Sequence, residues 1–320
     1  MTTRSFSLNK APLMLLAGNS NRPLAEGIAA YLGVSLGECE VGRFPDGEVR
    51  VKIHSDVRGA DVFVIQSTCT PVNDHLMELL IMCDALRRAS ALRVTAVVPY
   101  FGYSRQDRKD EGRVPITAKL VANLLQAAGV DRVVTLDLHA AQIQGFFDIP
   151  VDHLYASRVF TRYIRKLELP ELVVASPDAG GMKMAWGYTK RLDAYLAVVE
   201  KRRTSGEDVE VGFVIGDVKD KNVVIVDDII STGGSVAKAA QLLKDKGARK
   251  VFVMATHPVF CGRAVEKLRD APISELIVTD TIPVTAPIER LRVLSVAELL
   301  GEAVHRIHTH KSVSTLFQSV

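Results

Sequence analysis

The chain has 320 residues, with 40 Lys and Arg against 37 Asp and Glu, a net charge of +3 and 48% hydrophobic residues. That is an ordinary globular composition. It argues against disorder, collagen and coiled coil, and the length suggests two domains at roughly 150 residues each. Acids and bases are interspersed rather than gathered on one face, so no nucleic-acid partner is expected. No apolar run approaches the ~18 residues that span a bilayer, so no membrane partner is expected. The cysteines Cys39, Cys69, Cys83 and Cys261 stand at neither zinc nor redox spacing. They read as small buried hydrophobes of a soluble, cytoplasmic protein.

Taken in chain order, the pattern predicts a buried strand over 12–17 and a helix over 22–32 closed by Gly33. A strand follows over 61–65. Leu76, Leu79, Leu80, Cys83 and Leu86 form a stripe at helical spacing, which predicts a helix over 73–88. A strand over 93–98, a helix over 115–128 opened by Pro115, and a strand over 132–136 complete the first half. The second half predicts strands over 171–175, 194–199, 223–226, 250–255 and 276–278, and helices over 181–192, 235–246 and 262–269. Near-continuous Val/Ile strands with helices between them predict mainly parallel sheets covered on both faces.

The expected architecture is therefore α/β, as two successive domains over 1–152 and 153–320, with no Gly/Ser-rich linker between them. The stretch 296–317 has helical spacing and is expected to pack back on the first domain. Polar stretches over 104–113 and 201–208 each follow a strand and read as mobile loops, where lids form in open α/β sheets.

The strongest local signal runs from Val223 through Asp227-Asp228-Ile229-Ile230 to Ser231-Thr232-Gly233-Gly234-Ser235. A strand ends in two carboxylates, and a turn of small residues opens a helix. Gly233 and Gly234 let backbone come close to a ligand. The unpaired amides and dipole of a helix start favour an anion by about 0.3–2 kcal/mol. Hydroxyls of Ser231, Thr232 and Ser235 can donate as well. Asp227 and Asp228 repel an anion and suit neutral donors such as paired sugar hydroxyls. A carboxylate pair beside a phosphate cradle spells a sugar phosphate; a plain strand–helix turn with an N-cap serine is the competing reading. No Lys follows the glycines, so this is not a Walker loop.

This stretch resembles the ribose-phosphate binding loop of type I phosphoribosyltransferases. The run from Asp137-Leu138-His139 through Gln142, Gln144-Gly145-Phe146-Phe147 and Pro150 to Asp152 resembles the signature of the ribose-phosphate pyrophosphokinase family. Supporting runs occur in the family's order over nearly the whole chain, at 43–48, 71–75, 104–109, 176–181, 201–203 and 312–314.

The resemblance implies two phosphoribosyltransferase-like domains. It implies transfer of the β,γ-pyrophosphoryl group of MgATP to the anomeric hydroxyl of D-ribose 5-phosphate, giving 5-phospho-α-D-ribose 1-diphosphate and AMP and feeding nucleotide, histidine and tryptophan synthesis. It also implies two Mg²⁺ ions, one carried by ATP, and a homo-oligomer, a hexamer built from dimers. Carried over by motif, Phe44, Asp46, Gly47, Glu48, Arg105 and Gln106 would hold ATP, with Phe44, Asp46 and Glu48 reaching in from a neighbouring subunit. His139 and Asp178 would bind the metal. Asp227, Asp228, Ser231, Thr232, Gly233, Gly234 and Ser235, with Arg203, would hold ribose 5-phosphate. Lys201 and Arg203 would be catalytic, placing positive charge on the transferring group.

Each element also has a plainer reading. Lys201-Arg202-Arg203 alone would be a solvated basic cluster. His139 would be a hydrogen-bonded loop residue, Asp178 a turn acid, Phe44 core, and Trp186 packing or a subunit contact. A phosphoribosyltransferase would share 227–235 but not the nucleotide-binding runs, and a non-catalytic regulatory subunit would share the fold.

The sequence also departs from the family pattern. Ser231 stands where the family usually has Asp, and Ser235 where it has Thr. Asp110, Glu111 and Gly112 intervene where further basic residues are common, and Met184 occupies another such position. In relatives those stretches belong to a subunit-interface site for phosphate activation and ADP inhibition, so weakened control is implied. Cys261-Gly262-Arg263 replaces Ser-Gly-Pro, and the sequence alone offers no account of it.

Overall fold

A computed structural model describes residues 11–203 and 210–317, of which 201–203, 210–211 and 317 by their backbone alone. The chain forms two compact units. The first runs to Tyr155 and takes in Thr281–Pro283 and the chain from Val296. The second holds Ala156–Asp280 and Val284–Ser295.

The first unit contains β1 (Leu13–Ala17), α1 (Arg22–Leu32), β2 (Cys39–Arg43), β3 (Val49–Ile53), β4 (Asp61–Ile65) and α2 (Val72–Arg88). β5 (Arg93–Val98), α3 (Thr117–Ala127), β6 (Arg132–Leu136), a 3-10 helix over Ala141–Phe146 and β7 (Val151–Leu154) follow. Five strands pair in the order β1-β4-β5-β6-β7, all parallel. Such a sheet is covered on both faces, which is why β4 is buried at every position and apolar from Val62 to Ile65.

α2 buries Leu76, Leu79, Met82, Cys83 and Leu86 against that sheet, while Leu80 is only partly buried. Leu79 is fully buried, and its truncation to Ala would cost about 2–5 kcal/mol. Two boundaries have local causes. The Asn21 side chain accepts the Leu24 N–H at 3.3 Å to start α1, and Gly33 ends it at φ +68°. α3 starts at Thr117 rather than at Pro115.

The second unit contains α4 (Ser157–Lys166), β8 (Leu172–Ser176), α5 (Met182–Leu192), β9 (Tyr195–Arg203), β10 (Glu210–Ile215) and β11 (Asn222–Ile230). α6 (Gly234–Asp245), β12 (Lys250–Pro258), α7 (Ala264–Asp270), β13 (Glu275–Thr279) and β14 (Leu291–Leu294) complete it. Its seven-stranded sheet has the order β10-β9-β8-β11-β12-β13-β14. Only the β10–β9 pair is antiparallel.

The chain then returns to the first unit as α8 (Ala297–His308) and α9 (Ser314–Phe317). α8 packs on α1, where Gly301 leaves room for the Tyr31 ring: a Cβ there would stand 2.5 Å from Tyr31 Cδ1. Tyr31 Oη donates to Glu302 Oε2 at 3.0 Å. The end of α8 is fixed by a buried acid. Arg93 donates to both oxygens of Asp61 at 2.7 and 2.6 Å and to the Ile307 carbonyl at 3.2 Å, and His308 Nδ1 lies 2.8 Å from Asp61 Oδ2.

Two sequence expectations change. Lys201–Arg203 is not loop, because β9 runs through it, with Lys201 opposite Gly212 and Arg203 opposite Glu210; residues 204–209 lie outside the described ones. The cysteines are not all buried: Cys69 and Cys83 are, Cys39 is partly so, and Cys261 is exposed. No helix among the described residues is long and apolar enough to cross a membrane.

Candidate active site

In the second sheet β8 lies between β9 and β11, and β12 lies beyond β11. The chain leaves β8 towards β9 and leaves β11 towards β12, so the crossovers diverge between β8 and β11. In open α/β sheets such a switch point is where ligands sit, beyond the carboxyl ends of the strands. The loops after β8 and β11 carry Asp178 and Ser231–Gly234.

β11 does not stop at the acids as the sequence suggests. It continues through Asp227, Asp228 and Ile229 to Ile230, with Asp227 beside Ala255. The turn that follows needs its glycine. Gly233 has φ +70°, and a Cβ there would lie 3.3 Å from both the Ala264 carbonyl oxygen and Leu268 Cγ. Gly233, not a serine, is the N-cap of α6, and no side chain caps the helix. Ser231, Thr232 and Ser235 are partly or fully exposed around this helix start.

The acids are electrostatically frustrated. Burial pushes the Asp227 carboxyl up from 3.8 to about 8, helped by the charge of Asp228 and, more weakly, of Asp178. Asp227 also accepts the Asp228 N–H at 2.9 Å. Asp178 sits in the turn after β8, where its Oδ1 accepts the Gly181 N–H at 3.1 Å and its carbonyl accepts the Ser176 hydroxyl at 2.6 Å. It is thus a turn acid, and an exposed one on the same switch point.

The nucleotide-side residues all belong to the first unit. β2 and β3 form an antiparallel hairpin, pairing Arg43 with Val49. Its turn presents Phe44 half exposed, with Asp46 and Glu48 also exposed. Within the turn the Phe44 N–H donates to the Glu48 carbonyl at 2.8 Å, the Gly47 N–H to the Phe44 carbonyl at 2.9 Å, and the Glu48 N–H to Asp46 Oδ1 at 3.2 Å. Gly47 takes φ +95°. Arg43 bolts the turn in place, donating to the Gly47 carbonyl at 3.1 Å and pairing with Asp74 on α2 at 2.7 Å.

Arg105 and Gln106 are exposed in the loop before α3. Gln106 is held there by the Thr117 hydroxyl, which donates to its Oε1 at 2.5 Å, and by its own backbone contacts to Tyr103 and Ala118. His139 is exposed just past β6. The side chains of Lys201 and Arg203 lie outside the described residues; their backbone is in β9.

Residues 13–129 match the model of the N-terminal domain of ribose phosphate pyrophosphokinase, and residues 209–318 match that of the phosphoribosyl synthetase-associated domain. The chain is 52% identical over 303 residues to the ribose-phosphate pyrophosphokinase of Campylobacter jejuni, and 54% identical over 311 residues to that of Rhodopirellula baltica. These alignments cover 95% and 96% of this chain and 98% of each relative. The chain belongs to the ribose-phosphate pyrophosphokinase family. A crystal structure of the phosphoribosylpyrophosphate synthetase from Mycobacterium smegmatis matches with a TM-score of 0.89 at 42% identity, over 93% of this chain and 99% of that one. The α/β fold and the enzyme class read from the motifs are those of the ribose-phosphate pyrophosphokinases.

The geometry adds residues that the motifs did not. Lys267 on α7 donates to the Thr232 carbonyl at 3.3 Å, which puts an ammonium beside the Ser231–Ser235 turn. Cys261 contacts Ser231 through both backbone and side chain, which brings together two positions that the resemblance marks as departures. Neither signal is local in sequence, since each partner lies about thirty residues away on a neighbouring loop. Trp186 is half exposed with Lys190 over its ring at 5.3 Å, so it is not core packing.

Proposed function

We propose that this chain transfers the β,γ-pyrophosphoryl group of MgATP to the anomeric hydroxyl of D-ribose 5-phosphate, giving 5-phospho-α-D-ribose 1-diphosphate and AMP. The observation that carries this reading is the Asp227–Asp228 pair, partly buried at Asp227 and buried at Asp228, beside a glycine-turned helix start at a sheet switch point, in a chain related over its length to ribose-phosphate pyrophosphokinases.

The residues divide by chemistry. The Ser231–Ser235 turn and Lys267 receive the 5-phosphate through amides, hydroxyls and one ammonium. Asp227 and Asp228 accept hydrogen bonds from the ribose hydroxyls and orient the ring. On the nucleotide side Phe44 offers a ring face for the base, and Asp46, Glu48, Arg105 and Gln106 offer acceptors and donors around the rest of ATP. In a homo-oligomer, a hexamer of this chain, Phe44, Asp46 and Glu48 would serve a neighbour's site. Lys201 and Arg203 place positive charge on the transferring group, where in-line displacement is helped mainly by positioning and charge.

The donor set suits Mg²⁺ held together with substrate. Mg²⁺ keeps several waters and binds through one or two carboxylates plus phosphates rather than a protein cage. The described residues contain no group of three or more His, Cys, Asp or Glu able to hold an ion unaided. Burial first, and then the neighbouring charges of Asp228 and Asp178, raise Asp227, so a cation brought close to these acids would be favoured. Asp178 and His139 would hold the ions, two in number with one carried by ATP. When bound, Mg²⁺ neutralises charge on the phosphate oxygens.

Direct detection of AMP formed from ATP only when ribose 5-phosphate is present tests the reading. A phosphoribosyltransferase would give no AMP from this pair and would not be stabilised by MgATP. A regulatory subunit of the same fold would bind the substrates and turn over neither. The setting proposed for this reaction is the cytoplasm.

A further inference from the structure

β6 and β7 run parallel, with Thr135 beside His153 and Leu136 beside Leu154. Past the end of β6 the backbone bends at Asp137, whose φ of +34° is uncommon for a residue with a side chain. The Asp137 N–H still reaches the Leu154 carbonyl at 2.9 Å. The next amide has turned out of the ladder, and the Leu138 N–H donates instead to Nε2 of His153 at 2.9 Å. Leu138 and His153 are both buried, so without the ring this N–H would have no water to turn to.

A backbone N–H can only donate. Nε2 is therefore the unprotonated nitrogen, and His153 is neutral with its proton on Nδ1. Gln144 Nε2 donates to the Ala141 carbonyl at 2.9 Å and faces the protonated Nδ1 at 3.2 Å as donor to donor, so the ring's hydrogen bond to this segment is the one at Leu138. The ring rests against Tyr155, with centroids 4.5 Å apart. One buried imidazole thus ties the segment at Leu138, the residue directly before His139.

We infer that His153 is a positioning residue that sets the place of His139 through the Leu138 amide. The inference rests on the reading of His139 as a group of the metal–nucleotide centre. His153 touches no substrate on this account. It acts as an outer partner, of the kind whose loss costs about 10- to 100-fold in metal affinity or activity.

The test compares His153→Leu, which fills the space without an acceptor, with His153→Gln, whose amide oxygen can reach the same N–H. MgATP affinity and the KM for each substrate are measured, together with hydrogen exchange at the Leu138 amide in the protein without ligands. His153→Leu is expected to weaken MgATP binding about tenfold with a much smaller change in the KM for ribose 5-phosphate, and to unprotect the Leu138 amide. His153→Gln is expected to restore both. Equal losses for the two substrates, or wild-type MgATP affinity in His153→Leu, would overturn the role. Should His153→Leu not fold, the unmodified protein still decides, because a Leu138 amide that exchanges freely there rules the tie out. His139→Ala is run alongside. If it leaves MgATP binding intact, the reading of His139 fails; if it weakens binding while His153→Leu does not, only the positioning role fails.

Discussion

The thiol of Cys261 stands 3.1 Å from the hydroxyl of Ser231, and the Cys261 N–H donates to the Ser231 carbonyl at 3.0 Å. The first turn residue after β11 is thus held by the third residue after β12, in the loop before α7. This gives Cys261 a physical account: it fills the space beside a small hydroxyl, where a carboxylate at position 231 would meet a sulfur.

Chemical labelling follows from that contact. Cys261 is exposed, whereas burial pushes the thiols of Cys69 and Cys83 up to about 11 and about 12. Iodoacetamide is therefore expected to modify Cys261 first. The added group should block ribose 5-phosphate, and ribose 5-phosphate should protect the thiol. Peptide mapping by mass spectrometry checks the order; labelling of Cys69 or Cys83 ahead of Cys261 would contradict it.

Asp227 makes the site pH-dependent. Its carboxyl is raised from 3.8 to about 8, so the folded chain holds a proton that the unfolded chain releases over that interval. This stabilisation is complete below the lower value and is lost as pH rises towards the upper one. Asp227→Asn should therefore gain more in Tm over the wild type at about pH 8 than at about pH 5. A ligand that needs the carboxylate must expel the proton, so ribose 5-phosphate should bind more tightly as pH rises through the same interval. Calorimetry in two buffers of different ionisation enthalpy reads the released proton.

Lys267 contributes one exposed charge at the phosphate turn. Lys267→Ala is expected to raise the KM for ribose 5-phosphate about two- to fivefold and to leave kcat nearly unchanged, as suits an exposed ionic contact. High salt should narrow the difference between variant and wild type.

Lys201→Ala should behave in the opposite way. A cation that acts on the transferring group lowers kcat by about 10²-fold or more when removed, with nucleotide affinity nearly intact. Steady-state kinetics with direct MgATP binding distinguishes the two patterns, and a loss confined to affinity would refute the catalytic role.

The resemblance implies cations at the positions of Asp110, Glu111 and Met184, so an anion bound there would find weaker attraction in this chain. Activity is expected to be nearly independent of millimolar phosphate and little inhibited by ADP beyond competition with ATP. Rates measured with and without phosphate in a phosphate-free buffer decide this.

Strands buried on both faces, such as Asp61–Ile65, were legible from their apolar run, here Val62 to Ile65. α4 was not. Of Ser157–Lys166 only Phe160, Thr161 and Ile164 are buried, and four basic residues hide the stripe. The β2–β3 hairpin escaped because Cys39–Arg43 and Val49–Ile53 are short and none of their residues is fully buried, although Val49–Ile53 does alternate apolar with charged residues. The phosphate turn and its acids were legible as one contiguous motif. Lys267, Cys261 and His153 were not, because their roles depend on which loops the sheet order brings side by side.

The return of α8 to the first unit sets an order on biosynthesis. A ribosome delivers β1 to β7 long before α8 exists. Asp61 and Arg93 must therefore wait for His308 and the Ile307 carbonyl while the whole second unit is made. The unit begun first is thus the one finished last. A message truncated just ahead of Ala297 would yield a second unit with all its strands, attached to a first unit with an open flank beside α1.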